Sequence, residues 1–310
     1  MIVLSLLLAA PTPLPLPAAA PVIMDYLAAD GARVWVPAGN TGKVFVLDGG
    51  KFATIGGFPT REGRGGRLMG PSSVTVGGGH AYVGNRGDSS ICAIDGRSLE
   101  KKGCVTLSSS PDGTFYVAAT KEVWVTTPRD ESLQILDVKD PAAPKLSGSI
   151  KLPGEPEGYA VDVEKGLVFT NLEDKNRTLA IDAKSRKVTS TWEPGCSEKG
   201  PRGLAVDPGR GLLFVACTDG VVSLDEKSGA RKGRIDTGAG VDNIDYVGQR
   251  VYASAGQAEK LTVAEVAADG SFKPVATEPV GKGSRVVVAT SDGTAYAADS
   301  GGGQLWVFKP

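Results

Sequence analysis

The amino-acid sequence predicts an all-β fold, a seven-bladed β-propeller of four-stranded antiparallel blades, and three observations carry that prediction. One aromatic residue recurs at the centre of a short apolar run: Trp35, Tyr82, Trp124, Phe169, Phe214, Tyr252 and Tyr296. The steps between these positions are 47, 42, 45, 45, 38 and 44 residues, a period that marks repeated small sheets. Each aromatic also belongs to a longer set of β-rich runs. In the fourth repeat these are residues 158–162, 167–171, 178–182 and 187–192, separated by turn formers such as Glu164-Lys165-Gly166 and Lys184-Ser185-Arg186. Finally, no stretch sustains a 3.6-residue apolar period, so a helical repeat is excluded.

Each element then has a reason to be where it is. A lone four-stranded sheet of this size cannot bury both faces, whereas radial stacking buries them and leaves only short protected edges. The aromatic lies on the second strand and is expected to fill the seam between neighbouring blades. Third strands often close on aspartate, as at Asp48, Asp95, Asp137, Asp182 and Asp225. A chain of 310 residues would ordinarily suggest two domains, but a closed ring of repeats absorbs it as one. Its 42 glycines and 20 prolines fall in turns and interblade loops, which fits all-β geometry rather than disorder.

The runs Tyr82-Val83-Gly84-Asn85 and Phe169-Thr170-Asn171 are similar to the tetrapeptide of the YVTN-repeat, YncE-like propeller family. The resemblance extends over essentially everything after residue 24. It implies the propeller and says little about function, because propeller sites are grafted onto a common frame. Relatives are described as DNA-binding. Here 34 basic side chains face 35 acidic ones, and that balance supplies no basic stripe, so nucleic acid is not an expected partner.

The apolar run Ile2 to Ala10 is too short to span a bilayer. With the proline-rich stretch and Ala18-Ala19-Ala20 that follow, it resembles a secretory signal with a small-residue cleavage site. Residues 1–20 are therefore expected to be a signal peptide and 21–310 the propeller, with no integral membrane segment in the mature chain and a periplasmic or secreted location. Pro21 and the lack of a preceding Lys or Arg count against that cut. The last repeat ends on its third strand, Leu305-Trp306-Val307-Phe308, so its outer strand must come from residues before Tyr26. Cleavage after Ala20 leaves barely enough chain, which means either a different cut or a three-stranded last blade.

Four cysteines fit an oxidising compartment. Cys92 and Cys104 face each other across a hairpin, and Cys196 and Cys217 lie at neighbouring strand ends; this is the one pairing without a long reach. Each bridge adds about 3 kcal/mol by restricting the unfolded chain. Zinc is not expected, since there is no Cys-x-x-Cys.

Chemistry is expected on the face where the 2–3 loops and the interblade 4–1 loops emerge. The 2–3 loops contribute Asn85, Arg86, Arg129, Asp130, Asn171 and Glu173, and the 4–1 loops Asp112, Glu157, Arg202, Asp242 and Asn243. The Pro-x-Gly turns should bring Asp112, Glu157 and Arg202 to the channel mouth. The loop from Pro59 to Arg67, with Arg61, Arg64 and Arg67, should overhang it. These charges either solvate a loop-rich face or line a pocket for a small anionic or mixed-charge ligand, where loops of a rigid scaffold converge.

Catalytic signals are thin. His80 is the sole histidine, it belongs to the opposite face, and no serine or cysteine nucleophile stands beside it. No cofactor is expected; the alternative is a divalent cation such as calcium near Glu173, Asp174 and Asp219, for which no EF-hand spacing exists. The leading reading is a noncatalytic exported propeller, acting as a monomer, that binds a small molecule or a protein through its loop face. The alternative is a lactonase-like hydrolase or lyase using axial carboxylates such as Glu157 and Glu173, with or without a divalent metal.

Overall fold

The computed structural model describes residues 10–197 and 200–310. Residues 1–9, the first part of the expected signal peptide, lie outside it. The chain forms seven four-stranded antiparallel sheets around an axis. Blade 1 runs outward through Ala28–Asp30, Arg33–Ala38, Lys43–Asp48 and Lys51–Ile55. Blade 2 extends from Pro71–Gly77 to Lys101–Thr106 and blade 3 from Thr114–Val117 to Lys145–Lys151. Blade 4 extends from Pro156–Asp162 to Lys187–Trp192, blade 5 from Pro201–Asp207 to Arg231–Asp236, and blade 6 from Val241–Val247 to Phe272–Pro279. Blade 7 takes Val287–Ala289, Ala295–Asp299 and Gln304–Phe308 from the chain's end, and its outer strand, Thr12–Pro15, from the beginning. Leu14 pairs with Leu305 there. The missing fourth strand thus lies upstream of Ala20, and a cut at that position would remove it.

The repeated aromatics do what their spacing predicts. Trp35, Tyr82, Trp124, Phe169, Phe214 and Tyr252 are buried, and Tyr296 is half-buried. Each fills a seam with the next blade: Trp35 packs with Val74 and Val83, Tyr82 with Val123 and Val125, and Trp124 with Val168 and Ile181. Phe169 meets Leu213, Phe214 meets Ile244, Tyr252 meets Val287, and Tyr296 closes the ring against the cluster of Val34 and Val36. The apolar core is thus distributed over seven interblade seams.

After its outer strand the N-terminal segment turns inward across the loop face. Val22 N donates to Ser300 O at 2.9 Å in blade 7, and Ile23 N to Asn40 Oδ1 at 2.9 Å in blade 1. Tyr26 then bridges to blade 2, its N donating to Ser72 O at 3.0 Å. One segment therefore closes the ring and delivers Asp25 and Tyr26 to the axis.

Disulfides join Cys92 to Cys104 and Cys196 to Cys217. The first pair sits in register on the two outer strands of blade 2. The Pro59–Arg67 loop is part of a small hairpin in which Arg61–Glu62 pairs with Leu68–Met69. Among the described residues no helix is long and apolar enough to cross a membrane.

Candidate functional site

The interblade loops enter the innermost strands at equivalent places, and one residue from each blade faces the channel mouth: Asp25, Ser72, Asp112, Glu157, Arg202, Asp242 and Arg285. Four acids, two arginines and a serine make up this ring. Arg86, from the 2–3 loop of blade 2, adds a third cation. Its Nη2 lies 2.9 Å from Asp25 Oδ2 and also pairs with Asp112 Oδ1, while its Nε donates to Pro111 O at 3.2 Å. Arg285 pairs with Asp242 at 3.1 Å and Arg202 with Glu173 at 2.7 Å.

Tyr26 crosses the axis beneath this ring. Its hydroxyl donates to Glu157 Oε1 at 2.9 Å and accepts from Gly158 N at 3.3 Å, and Asp112 Oδ2 lies 3.3 Å away. The Tyr26 ring stacks on Tyr159 at 5.5 Å, and Tyr159 in turn stacks on Phe115 at 4.5 Å. Beside the Tyr26 hydroxyl, a glycine lets the inner strands of blades 4 and 5 approach closely. Gly158 has φ +58°, and a Cβ there would lie 2.3 Å from Arg202 O. The charged mouth and the lower half of the channel are therefore separated by one aromatic residue.

Burial sets the electrostatics. It raises the Glu157 carboxyl well above the usual range, and Asp112, Asp242 and Asp25 push it the same way. Burial also raises Asp112, against the pull of Arg86. Asp242 is pushed up to about 6 by burial, only partly offset by Arg285. Carboxylates that crowd one site cannot all ionise freely.

A pH dependence of stability follows. Asp112, Glu157 and Asp242 hold protons more tightly folded than unfolded, so the stability they contribute is full only below the ordinary carboxylate range and is lost as pH rises, for Asp242 through about 6. Asp162, Asp207 and Asp225 are shifted down, and their contribution is lost only as pH falls below the normal carboxylate range. The melting temperature is expected to be higher at pH 5 than at pH 7.5. Asp242→Asn should flatten that slope, and an unchanged slope would show that the ring carboxylates do not set it.

Of the residues expected at the site, Arg86, Asp112, Glu157, Arg202, Glu173, Asp242 and Asn243 converge on the axis or its rim. Asn85 and Asn171 do not reach it. Asn85 is buried and ties its own loop, donating to Asp88 Oδ1 at 2.8 Å and Pro59 O at 3.1 Å. Asn171 is buried too, donating to Arg202 O and accepting from Thr178 Oγ1 at 2.6 Å. Arg129 and Asp130 line a separate outer cavity on blade 3, with Ser108, Gln134 and Lys151. The suggested calcium set does not assemble: Glu173 pairs with Arg202, Asp174 with Lys175 at 2.8 Å, and Asp219 with Arg234 at 3.0 Å. Among the described residues no group of three or more acids, histidines or cysteines is arranged to hold a metal ion. Glu157 likewise has Asp112 and Tyr26 as neighbours, while Glu173 is committed to Arg202. His80 starts the second strand of blade 2, and Asn85 ends it, about 17 Å away at strand spacing.

Asp25, Tyr26 and Arg285 are residues of the axial cluster that the sequence reading missed. On the blade 5 to blade 7 side of the ring lies a cavity of about 700 Å3, walled by Arg202, Asp219, Asp242 and Arg285 and by Gly240 and Gly283.

No protein-family model matches the chain, and no curated protein matches it in sequence. Solved structures do. A structure of the mitotic checkpoint complex aligns with a TM-score of 0.79 at 15% identity, over 97% of this chain and 92% of that one. Virginiamycin B lyase from Staphylococcus aureus aligns with a TM-score of 0.76 at 14% identity, over 97% and 99%. A streptogramin B lyase aligns at 0.77 and 12% identity, over 96% and 97%. The likeness is one of fold. Identities this low establish the propeller and nothing about the ligand.

Proposed function

We propose that this protein is a noncatalytic, exported β-propeller, of the YVTN-repeat, YncE-like kind, that binds a small anionic or mixed-charge molecule at the axial mouth. The observation that carries the reading is the cavity of about 700 Å3 bounded by the guanidinium groups of Arg202 and Arg285 and the carboxylates of Asp242 and Asp219. Its volume falls in the range of small-molecule sites. Arg285 is the accessible cation, with its side chain 46% exposed and its fork only partly used by Asp242. Paired signs at fixed positions suit a ligand that carries a carboxylate and a nearby donor. Two disulfides are compatible with the oxidising compartment that export implies.

The lack of a histidine near the mouth supports the noncatalytic reading. A histidine-to-alanine variant of virginiamycin B lyase is catalytically inactive, whereas the sole histidine here lies at the far end of a blade 2 strand. A hydrolase or lyase remains the second reading, favoured by the burial that raises both Asp112 and Glu157.

Calorimetric titration of hydroxy acids, amino acids and phosphate esters tests both. Arg285→Gln is expected to weaken the best binder about tenfold, and Arg129→Gln to leave it unchanged. Loss with Arg129→Gln instead would move the site to blade 3. Turnover of a lactone or ester panel, abolished by Glu157→Gln, would replace binding by catalysis.

A further inference from the structure

The outer end of the seam between blades 2 and 3 holds a cavity of about 720 Å3, well away from the axis. Strand register explains its lining. On the third and fourth strands of blade 3, Ser132 pairs with Lys151, Gln134 with Ser149 and Leu136 with Leu146, so all six share one face. Leu136 packs in the seam with Tyr82, which turns that face toward blade 2. At Gln134 the seam changes character. Three residues before the closing aspartate, four other blades bury Phe45, Cys92, Leu179 and Val222. Blade 3 places a glutamine there, only 2% exposed. Its Oε1 accepts from Ser108 N at 3.3 Å, and its buried Nε2 has no acceptor among the described residues. A buried donor without an acceptor is costly.

Charge is arranged around this floor. Arg129 is exposed, and its guanidinium makes no ion pair or hydrogen bond among the described residues. Lys151 is already engaged, donating to Asp130 O at 2.6 Å and to Glu131 Oε2 at 3.0 Å. Asp130 Oδ2 accepts from Ser108 Oγ at 3.2 Å, and no cation pairs with that carboxylate among the described residues. The trough therefore offers an uncommitted guanidinium, a carboxylate able to accept, the exposed Ser108 and Ser149, and Leu146 at 50% exposure.

We propose that this trough is a binding site for a short acidic oligosaccharide, a run of uronic-acid sugars. Arg129 takes a sugar carboxylate through its two-pronged fork. Sugar hydroxyls both donate and accept, so they suit Asp130, the two exposed serines and the Gln134 amide at the floor. Leu146 gives the C–H face of a ring an apolar contact. A phosphate dianion fits less well, because it meets one free guanidinium and the carboxylate of Asp130 together. The volume is that of a small-molecule site. The site is separate from the mouth, since none of its lining residues belongs to the axial ring.

The test is a titration of the wild-type protein, followed by NMR or calorimetry, with digalacturonate, neutral cellobiose and adipate, a dicarboxylate without hydroxyls. Saturable binding of digalacturonate is expected, with the other two about tenfold weaker or more. Arg129→Gln should bring digalacturonate down to the level of cellobiose. Gln134→Leu installs the residue that blade 4 carries at that place. It should weaken digalacturonate about tenfold while melting no lower than the wild type. Arg285→Gln, at the mouth, should leave it within about twofold. Equal binding of the three probes, no saturable binding, or unchanged binding in both Arg129→Gln and Gln134→Leu would each overturn the proposal. Loss with Arg285→Gln alone would overturn it too and assign the sugar acid to the mouth, so the two readings fail separately. The comparison of the three probes needs only the wild-type chain, so it decides even if a variant fails to fold.

Discussion

A chain beginning at Pro21 is expected to lose about 4 kcal/mol of stability and to associate in solution. Removing Thr12–Pro15 strips the outer strand from blade 7, and with it Leu14 opposite Leu305 and the buried Leu16. Full burial of one leucine stabilises by about 1.5–3 kcal/mol, and Leu14 and Ala18 pack against the same cluster as Leu16. The backbone bonds of Gln304–Phe308 to that strand go too. A loss of this size should lower the melting temperature by roughly 10 °C for a domain of this length. The newly bared strand carries Leu305, Trp306 and Val307, an unprotected apolar edge of the kind that recruits other chains. Gel filtration should therefore show dimers or larger species where the longer chain gives one peak. A truncated chain that melts within 2 °C of the longer one and stays monomeric would show that Thr12–Pro15 contributes nothing to closure. The same measurement bears on processing: if the ring needs this strand, a signal peptidase cut after Ala20 and a stable propeller are incompatible.

The parts of this molecule that were legible in its sequence are those fixed by a repeated physical requirement. Every seam needs one large apolar side chain, so Trp35, Tyr82, Trp124 and their counterparts recur and expose the blade count. Cys92 and Cys104 were readable because hairpin geometry places them opposite each other. The axial ring was only half legible. Asp112, Glu157 and Arg202 stand in Pro-x-Gly turns twelve residues before the aromatics Trp124, Phe169 and Phe214, and that local signature drew them out. Asp25, ten residues before Trp35, and Arg285, eleven before Tyr296, hold the same structural place in other local sequence. Because these offsets differ from twelve, neither the turn motif nor a fixed distance from the aromatic picks them out. Tyr26 could not be reached that way, since its role depends on contacts with Glu157 and Gly158 across the whole ring. Arg129 and Asp130 show the converse failure. They occupy the right loop type, yet they belong to the outer part of blade 3, because loop membership fixes the face and not the distance from the axis.

Arg86→Met should be the most damaging single substitution at the mouth, costing about 3 kcal/mol at neutral pH. The side chain is the one cation that touches both Asp25 and Asp112, and methionine keeps most of its volume while removing the charge. Breaking a buried pair by deleting one partner typically costs about 3–5 kcal/mol, because the remaining charge is left without compensation. The lower end applies here, since the Arg86 side chain keeps 24% exposure and water can reach the gap. The sign of a pH effect separates this cause from lost packing. Without Arg86, Asp112 loses the strongest influence holding its pKa down. Its proton affinity should therefore rise, and the variant should recover much of its deficit in mild acid, where Asp112 becomes neutral. Lost packing would leave the deficit constant with pH. The double variant Arg86→Met/Asp112→Asn sharpens the comparison: removing one of the stranded charges should restore roughly half of the lost stability at pH 7.5, a coupling well beyond the additivity expected of independent sites. Chemical denaturation of the four proteins at pH 5 and pH 7.5 measures all of these terms. A deficit indifferent to both pH and Asp112→Asn would mean that Arg86 holds the ring by shape, and that the mouth is electrostatically far more relaxed than its crowded carboxylates imply.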